Sequence, residues 1–325
     1  MSSMRERIDP EVRAGLDAYL EATGPRGLAS IGDVAARRAR YGELTALRRR
    51  ASQILTAVEV TDVCAPGNAG DPPARLRVYR PKSVLPGGAC LYYIHGGGMV
   101  LGSADSTDLI AEPLTMRLDC VTVAVDYRLA PENPHPAPVD DCYAGLQWIW
   151  SNAKRLQVDR QRIVIYGASA GGGLAAATTL MARDQEGPQI AYQLLANPML
   201  DDRNESASSH QIRDLGAWDR DENIEAWKLL LDDHAGAKDI SAYAAPARAE
   251  SLAGLPPTFI DVGDLDVLRD EGVEFATRLM QSGVPVDLRV YAGAVHGSEF
   301  WAPESALAKR IVDARMAALN HAMRG

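Results

Sequence analysis

Arg162-Ile-Val-Ile-Tyr-Gly-Ala-Ser-Ala-Gly-Gly-Gly-Leu174 is the stretch of this chain that says most about its fold. The β-branched run Ile163–Tyr166 predicts a buried strand, and the small residues after Ser169 predict a helix packed closely on a sheet. Between them stands the pattern Gly-x-Ser-x-Gly, whose small residues let strand and helix approach while Ser169 stays exposed. Ser169 is therefore a candidate nucleophile. A Ser hydroxyl attacks poorly at neutral pH, so a base, a group orienting that base and an oxyanion site are required elsewhere.

A glycine-rich loop precedes this turn. His95-Gly-Gly-Gly98 follows the apolar run Cys90–Ile94, and three successive glycines expose backbone N–H groups to a ligand. The interpretation we favour is an oxyanion hole, with the N–H of Ala170 as a further donor. The alternatives are a flexible turn and a phosphate loop, but a phosphate loop needs Lys and Ser or Thr where Met99-Val100 stand. His95 is expected to brace the loop.

The base is sought among six histidines. His296 directly follows the late strand predicted at Val286–Tyr291, and loops after the carboxyl ends of strands carry the active-site groups of α/β sheets. The other five stand in a glycine-rich loop, a Pro-rich loop, a predicted cap or the last helix: His95, His135, His210, His234 and His321. His296 is therefore the predicted base.

Four acids compete to orient that base. The strand predicted at Thr258–Val262 is followed by Asp264, Asp266, Asp270 and Glu271. Asp264 ends the strand, and Asp266 precedes a helix, so either carboxylate could point into the site. Asp270 and Glu271 fall inside the helix and are expected to be structural. An orienting carboxylate fixes the imidazole tautomer and stabilises the imidazolium.

Strand-like runs alternate with helical patterns along most of the chain, which predicts a mostly parallel sheet covered on both faces. Eight strands are predicted: Ile54–Val60, Leu76–Tyr79, Cys90–Ile94, Val121–Asp126, Ile163–Tyr166, Tyr192–Ala196, Thr258–Val262 and Val286–Tyr291. The helices predicted between and after them span residues 107–118, 138–154, 171–184, 267–282 and 303–322.

Two segments break the alternation. Residues 1–53 contain two predicted helices, 9–24 and 31–52, and residues from about 201 to 245 are polar and then helical around Asn223–Asp233. Both segments are expected to form a helical cap above the carboxyl ends of the strands. No linker rich in Pro, Gly or Ser divides the chain, so residues 1–325 are predicted to form a single domain.

Composition narrows the classes of partner. A net charge of −9 argues against nucleic acid and gives no support for docking on anionic membranes. With no signal-peptide core and no apolar run of transmembrane length, the chain is expected to be cytoplasmic. The four cysteines lack C-x-x-C spacing and are expected to be buried reduced thiols, with neither a metal site nor a cofactor.

Taken together, the motifs resemble the hormone-sensitive-lipase-like family of bacterial carboxylesterases. The resemblance covers roughly residues 75 to 320, in matching order: His95–Gly98, Asp126–Glu132, Gly167–Gly172, Asp266–Gly272 and Tyr291–Gly297. It implies an α/β-hydrolase fold, with an eight-stranded mostly parallel sheet flanked by helices and a helical cap. It also implies that Asp266 is the triad carboxylate and that Gly97, Gly98 and Ala170 are the oxyanion donors.

The resemblance further implies a serine carboxylesterase that hydrolyses short- to medium-chain acyl esters, and Met99, Trp218 and Trp301 are candidates for lining the substrate pocket. Met99 stands where many members have an aromatic residue, and Ser298 where Phe usually follows His-Gly.

Several alternatives stay open. The same triad would serve an amidase, lactonase or deacetylase. A non-catalytic small-molecule receptor on this fold is expected to lack the base. A dinucleotide-binding protein is disfavoured because the motif at Ser169 fails G-x-G-x-x-G. Members of the family often dimerise, which makes the edge strand at Val286–Tyr291 a candidate homodimer surface.

Overall fold

The computed structural model describes residues 4–51, 57–68, 70–82 and 87–324. Within these residues one eight-stranded sheet has the order β1-β2-β4-β3-β5-β6-β7-β8. Its strands are β1 Val58–Ala65, β2 Ala74–Pro81, β3 Gly88–Ile94, β4 Val121–Asp126, β5 Val158–Ala168, β6 Tyr192–Ala196, β7 Thr258–Leu265 and β8 Val286–Val295. Strands β1, β2 and β4 pair antiparallel, and all pairings from β4 to β8 are parallel. The predicted mostly parallel eight-stranded sheet is confirmed.

Eleven α-helices accompany the sheet in the described residues. They are α1 Pro10–Thr23, α2 Val34–Ala51, α3 Asp108–Leu118, α4 Ala137–Ser151, α5 Ala153–Leu156, α6 Ala170–Asp184, α7 Ala207–Gln211, α8 Arg220–Leu230, α9 Arg269–Gln281, α10 Ser298–Trp301 and α11 Ala306–Arg324. Short 3-10 helices lie at Met4–Arg7, Gly27–Ser30, Ala104–Thr107 and Pro246–Arg248.

Most element bounds shift by a few residues from the prediction. Residues 54–56 of the predicted first strand lie outside the described residues, and β1 runs on from Val58 to Ala65. Strand β5 begins five residues early, at Val158, because backbone pairing continues through side chains that face solvent and give no apolar signal. Helix α8 begins at Arg220, where Asp219 and Glu222 form a capping box, and ends at Leu230.

The sheet is buried on both faces, which is why its parallel strands have near-continuous apolar sequences. Side chains alternate along each strand, so Leu91 and Tyr93 of β3 face one side while Tyr92 and Ile94 face the other. Helices α4, α6 and α9 cover the second face, and α3 and α11 cover the first. The strand ends are thereby held in fixed positions, from which loops project.

The two segments expected to form a cap contact each other. From the N-terminal segment, Arg37 of α2 makes a bidentate ion pair with Glu225 of α8, with N–O distances of 2.8 and 3.0 Å. Arg26 also reaches Glu222, the capping residue of α8, at 3.0 Å. The role of these segments as a lid over a pocket stays a prediction.

Two further expectations concern thiols and membranes. Cys90, Cys120 and Cys142 are buried, but Cys64 is exposed, so the prediction of a buried thiol is wrong for that residue. It lies on β1, an edge strand whose middle residues are mostly open to solvent. Among the described residues, no helix combines the length and apolarity needed to cross a bilayer.

Candidate active site

Ser169 stands on a strained turn between β5 and α6. Its backbone angles, φ 57° and ψ −124°, belong to a sparsely populated region that costs about 1–3 kcal/mol and persists only when neighbours enforce it. The enforcing bonds come from β6 and the loop after it: Ser169 N–H donates to the carbonyl of Ala196 at 2.8 Å, and Met199 N–H donates to the carbonyl of Ser169 at 3.1 Å. The turn therefore presents the hydroxyl at the carboxyl edge of the sheet.

Close packing at this turn explains its glycines. A Cβ at Gly167 would lie 2.0 Å from the carbonyl oxygen of Gly171, and one at Gly171 would lie 2.2 Å from the carbonyl oxygen of Ile94. Both distances are far below contact, so any larger side chain would push strand and helix apart.

Three side chains join into one hydrogen-bonded chain at the carboxyl ends of β5, β7 and β8. His296 Nε2 lies 2.9 Å from Ser169 Oγ, and His296 Nδ1 lies 2.8 Å from Asp266 Oδ2. Asp266 is fully buried, and its other oxygen accepts from Leu268 N–H at 3.0 Å. The fixed carboxylate selects the tautomer with hydrogen on Nδ1, which leaves Nε2 free to accept a proton from Ser169.

The charge environment of His296 favours the protonated ring. Burial alone would lower the pKa of the imidazole, but the negative charges of Asp266 and Glu299 outweigh burial, and the pKa of His296 is raised above its ordinary value. Arg315 acts in the opposite direction on the same ring. A group with a raised pKa is a stronger base for removing a proton from a hydroxyl.

The other three acids, at the end of β7 and after it, have different partners. Asp264 accepts hydrogen bonds from Gly293 N–H at 2.7 Å and from Arg7 at 3.2 Å, which joins the ends of β7 and β8. Asp270 accepts from Ser208 N–H at 2.6 Å, and Glu271 accepts from Leu200 N–H at 2.7 Å. Of the four candidates, Asp266 is the one whose carboxylate reaches His296.

The glycine loop packs against the nucleophile turn. A Cβ at Gly96 would lie 2.8 Å from the carbonyl oxygen of Ala168 and 3.1 Å from Ser169 Cβ, so the loop and the turn are in contact. Gly97 and Gly98 have φ of 120° and 63°, in the region that favours glycine. Across the described part of the chain, no protein acceptor takes the N–H of Gly97, Gly98 or Ala170, so these donors are available to a bound group.

The buried His95 side chain supports the glycine loop. Its ring is buried and stacked on Tyr127, with the ring centroids 4.2 Å apart, and Nδ1 lies 2.8 Å from the carbonyl oxygen of Gly96. Tyr127 also donates to the carbonyl of His95 at 2.9 Å. Burial lowers the pKa of His95, so the ring stays neutral near pH 7.

The three predicted pocket residues occupy different positions. The Trp218 indole lies over the glycine loop: its centroid is 6.3 Å from that of His296, and a Cβ at Gly98 would lie 2.6 Å from Trp218 Cη2. Trp301 donates from Nε1 to the carbonyl of His296 at 2.9 Å. Met99 is fully buried. The pocket assignments of all three stay predictions.

One feature of the site escaped the sequence reasoning. Arg315 of α11 is buried and pairs with Asp261 of β7 and Glu299 of α10. The sequence does indicate that Arg315 is buried. It lies four residues from both Ile311 and Leu319, so a charged residue interrupts the apolar stripe of the helix. The residues it would pair with could not be read from the chain. Among the described residues, no cluster of three His, Cys, Asp or Glu side chains is arranged to hold a metal ion.

Comparisons with known proteins converge on one kind of enzyme. A family model described as alpha/beta hydrolase fold matches residues 91–300. The chain is 33% identical over 321 residues to the carboxylesterase NlhH of Mycobacterium tuberculosis, covering 98% of this chain and 97% of the relative. It is 32% identical over 227 residues to an ethyl acetate hydrolase of Pseudomonas putida, covering 68% of this chain and 70% of that protein.

The solved structure of a bacterial heroin esterase superimposes on this chain with a TM-score of 0.92 at 38% identity, covering 99% of this chain and 100% of that one. The resemblance thus extends over the whole chain, including the N-terminal helices.

Proposed function

Because the chain belongs to the hormone-sensitive-lipase-like branch of the alpha/beta hydrolase fold family and is a carboxylic-ester hydrolase, we propose that it hydrolyses short- to medium-chain acyl esters with a Ser169–His296–Asp266 triad. The observation that carries this proposal is the unbroken hydrogen-bond chain from Asp266 through His296 to Ser169, at 2.8 and 2.9 Å. The Ser169–His296 distance allows proton transfer without rearrangement, and the His296–Asp266 bond holds the ring in place for it.

In the acylation step, His296 Nε2 removes the proton of Ser169 as Oγ attacks the ester carbonyl. The carbonyl oxygen becomes negative and is held by the N–H groups of Gly97, Gly98 and Ala170, which need no reorientation. The imidazolium, stabilised by Asp266, then protonates the leaving alcohol, and an acyl-serine forms.

Deacylation repeats the sequence with water. His296 removes a proton from water as its oxygen attacks the acyl carbonyl, the same three N–H groups hold the second oxyanion, and the proton returns to Ser169 as the acid leaves. No step requires a cofactor or a metal ion, since each proton and each developing charge has a protein partner.

The preference for short to medium acyl chains is supported by the position of Trp218. Its indole lies over Gly98 beside His296, and Nε1 donates to Asn223 Oδ1 at 3.0 Å. Asn223 in turn donates to Asn204 Oδ1 at 2.6 Å, so the ring is fixed by buried amides. A fixed ring at this distance limits the space for a long acyl chain. The ethyl acetate hydrolase among the relatives is named for a short ester.

We also infer that residues 1–53 and about 201–245 act as the cap, since α8 follows Trp218 and is bound to α2 through Arg37 and Glu225. A net charge of −9 supports a small-molecule substrate over nucleic acid. A cytoplasmic location remains an expectation from the sequence.

The test of the triad is covalent labelling. An organophosphonate probe is expected to modify Ser169 in the wild-type chain and to leave Ser169→Ala unmodified, with loss of p-nitrophenyl butyrate hydrolysis. Ser106→Ala, at a partly exposed serine away from the triad, serves as the matched control. Near-full hydrolysis by Ser169→Ala would contradict the proposal.

The substrate class is tested separately. Across p-nitrophenyl esters of increasing chain length, kcat/KM is expected to peak at short or medium chains. A matched ester and anilide distinguish an esterase from an amidase, and a lactone completes the series. A maximum at long chains, or faster turnover of the anilide, would overturn that part of the proposal while leaving the triad in place.

A further inference from the structure

A buried trio of charged side chains includes Glu299, which follows His296 by three residues. Arg315 donates to both oxygens of Asp261, at 2.7 and 2.9 Å, and its third nitrogen pairs with Glu299. The Arg315 side chain is 7% exposed, Glu299 is 8% exposed and Asp261 is fully buried. The trio thus joins three elements, α11, β7 and α10, in the interior of the protein.

Such a trio needs an explanation beyond stability. Burying charges is expensive, and buried ion pairs are often no more stable than apolar side chains of similar size. Arg315 stands on the apolar stripe of α11, where Leu or Met would pack without any desolvation cost. The two carboxylates and one guanidinium together also carry one net negative charge, which apolar side chains in their place would not supply.

The Glu299 end of the trio is coupled to His296 through the backbone. His296 is followed by Gly297 with φ 65°, and the short helix α10 begins at Ser298. Trp301 closes this helix by donating from Nε1 to the carbonyl of His296 at 2.9 Å. Since α10 spans one turn, the ion pair that fixes Glu299 also fixes the backbone that carries the imidazole.

The negative charge of Glu299 also acts electrostatically on the imidazole of His296. The charged groups that act on His296 are Asp266 and Glu299, which favour the protonated ring, and Arg315, which disfavours it. Burial alone would raise the pKa of Glu299, but Arg315 outweighs burial and the pKa is lowered, so the carboxylate is ionised at neutral pH. Asp261 and Tyr166 also act electrostatically on Arg315, and Asp261 is hydrogen-bonded to it.

We propose that Glu299 and Arg315 are positioning residues for acyl transfer: Arg315, clamped on Asp261, holds α10 and fixes the Glu299 carboxylate in the segment that directly follows His296, where this second negative charge stabilises the imidazolium. The inference rests on the proposed function, because it takes His296 as the base. During attack by Ser169 the ring gains a positive charge, and Glu299 supplies part of the compensating field that Asp266 alone would otherwise provide.

The test is the pH profile of kcat/KM on a short p-nitrophenyl ester. The base must be neutral, so the rate falls as the pH drops below the pKa of His296. Glu299→Gln removes a negative charge and lowers that pKa, so the acid limb is expected to move to lower pH by about half a unit or more. The plateau is expected to fall about 3- to 30-fold as the imidazolium loses stabilisation.

Two variants separate charge from packing. Glu299→Asp keeps the charge and is expected to keep the acid limb near its wild-type position. Glu304→Gln makes the same substitution at an exposed glutamate paired with Lys309 and is expected to leave limb and plateau unchanged. An unmoved limb in folded Glu299→Gln, or an equal shift in Glu304→Gln, overturns the inference.

Arg315→Lys tests the clamp if Glu299→Gln fails to fold. Lysine keeps the positive charge but loses the bidentate fork, so kcat is expected to fall about tenfold with little change in KM. Wild-type kcat in this variant overturns the inference.

His296→Asn distinguishes failure of this inference from failure of the proposed function. Its inactivity, together with an unmoved limb in Glu299→Gln, removes only the inference, whereas full activity in His296→Asn removes the proposed function as well.

Discussion

Two aspartates separated by one residue have different partners in this site. Asp266 accepts from His296 Nδ1 at 2.8 Å, whereas Asp264 accepts from Gly293 N–H and Arg7. The reason is local geometry, since Asp264 is still on β7 and faces the neighbouring strand, while the chain turns after Leu265 and directs Asp266 toward the loop of His296. Sequence proximity therefore does not make the two carboxylates interchangeable.

Asp266→Asn is expected to lower kcat by about 10³- to 10⁴-fold, because the amide stabilises the wrong imidazole tautomer and cannot balance the imidazolium. Asp264→Asn, the matched control, keeps an acceptor for Gly293 N–H and is expected to lose less than about tenfold. Steady-state kinetics of both variants on one p-nitrophenyl ester decide the matter. A larger loss in Asp264→Asn would reassign the orienting acid.

At the scale of elements, the contact between β3, β5 and α6 leaves no room at the nucleophile turn. Gly171→Ala would place Cβ 2.2 Å from the carbonyl of Ile94 and 2.4 Å from that of His95. We expect a loss of about 3 kcal/mol or more in the free energy of unfolding, since backbone atoms cannot yield as a flexible side chain can. Thermal melting measures it, and Gly42→Ala, with open space around its Cβ, is the control. Equal melting temperatures for the two variants would contradict the close packing.

Helix α2 is joined to the glycine loop by one side chain. Arg38 donates to the carbonyls of Val100 and Ala130, at 2.7 and 2.6 Å, and makes a bidentate pair with Glu132 at 2.8 Å. These bonds connect the N-terminal segment to the loop that carries the proposed oxyanion donors. Helix α2 is therefore in a position to stabilise the backbone next to the glycine loop.

Arg38→Met is expected to reduce kcat/KM about 3- to 10-fold and to destabilise the fold by about 1–3 kcal/mol, because two backbone carbonyls and Glu132 lose a charged donor. Arg40→Met is the control on the same helix, since Arg40 pairs only with the exposed Glu43 among the contacts of the described residues. Kinetics and chemical denaturation of both variants provide the comparison. If the two variants have the same kcat/KM and the same free energy of unfolding, the hydrogen bonds of Arg38 have no influence on the site.

Most of the element pattern could be predicted because burial on both faces of the sheet makes the strands apolar in sequence. Ser169 and His296 could also be found, since each follows a strand and carries a distinctive neighbourhood of glycines. The choice between Asp264 and Asp266 could not be made from the residues alone, as it depends on where the chain turns after Leu265. The trio around Arg315 was missed because its members are 54 and 16 residues apart and meet only in the folded protein.

At the scale of the whole molecule, β8 ends the sheet and offers an edge for a second copy of the chain. Val290 is 47% exposed on this strand, and Asp287 and Arg289 flank Leu288. An antiparallel pairing centred on Leu288 would place Asp287 of one copy opposite Arg289 of the other, with the symmetry that a twofold dimer requires. A homodimer formed through this candidate edge therefore has a defined charge pattern to test.

We expect light scattering after size exclusion to give a mass of about twice the 35.0 kDa of the chain. Arg289→Asp would place like charges opposite each other and is expected to yield a monomer, and the double swap Asp287→Arg with Arg289→Asp is expected to restore the dimer. A monomeric wild-type chain, or a dimer indifferent to the single change, would rule out this edge as the interface.

The contact between Asp9 and Gly293 has a consequence for the timing of synthesis. Asp9 N–H donates to the carbonyl of Gly293 at 3.0 Å, three residues before His296. A ribosome makes these two residues far apart in time, and Arg315 follows later still. A nascent chain cannot assemble the proposed triad before residue 296 has emerged from the ribosome, so ester hydrolysis during translation is expected to begin only after that point.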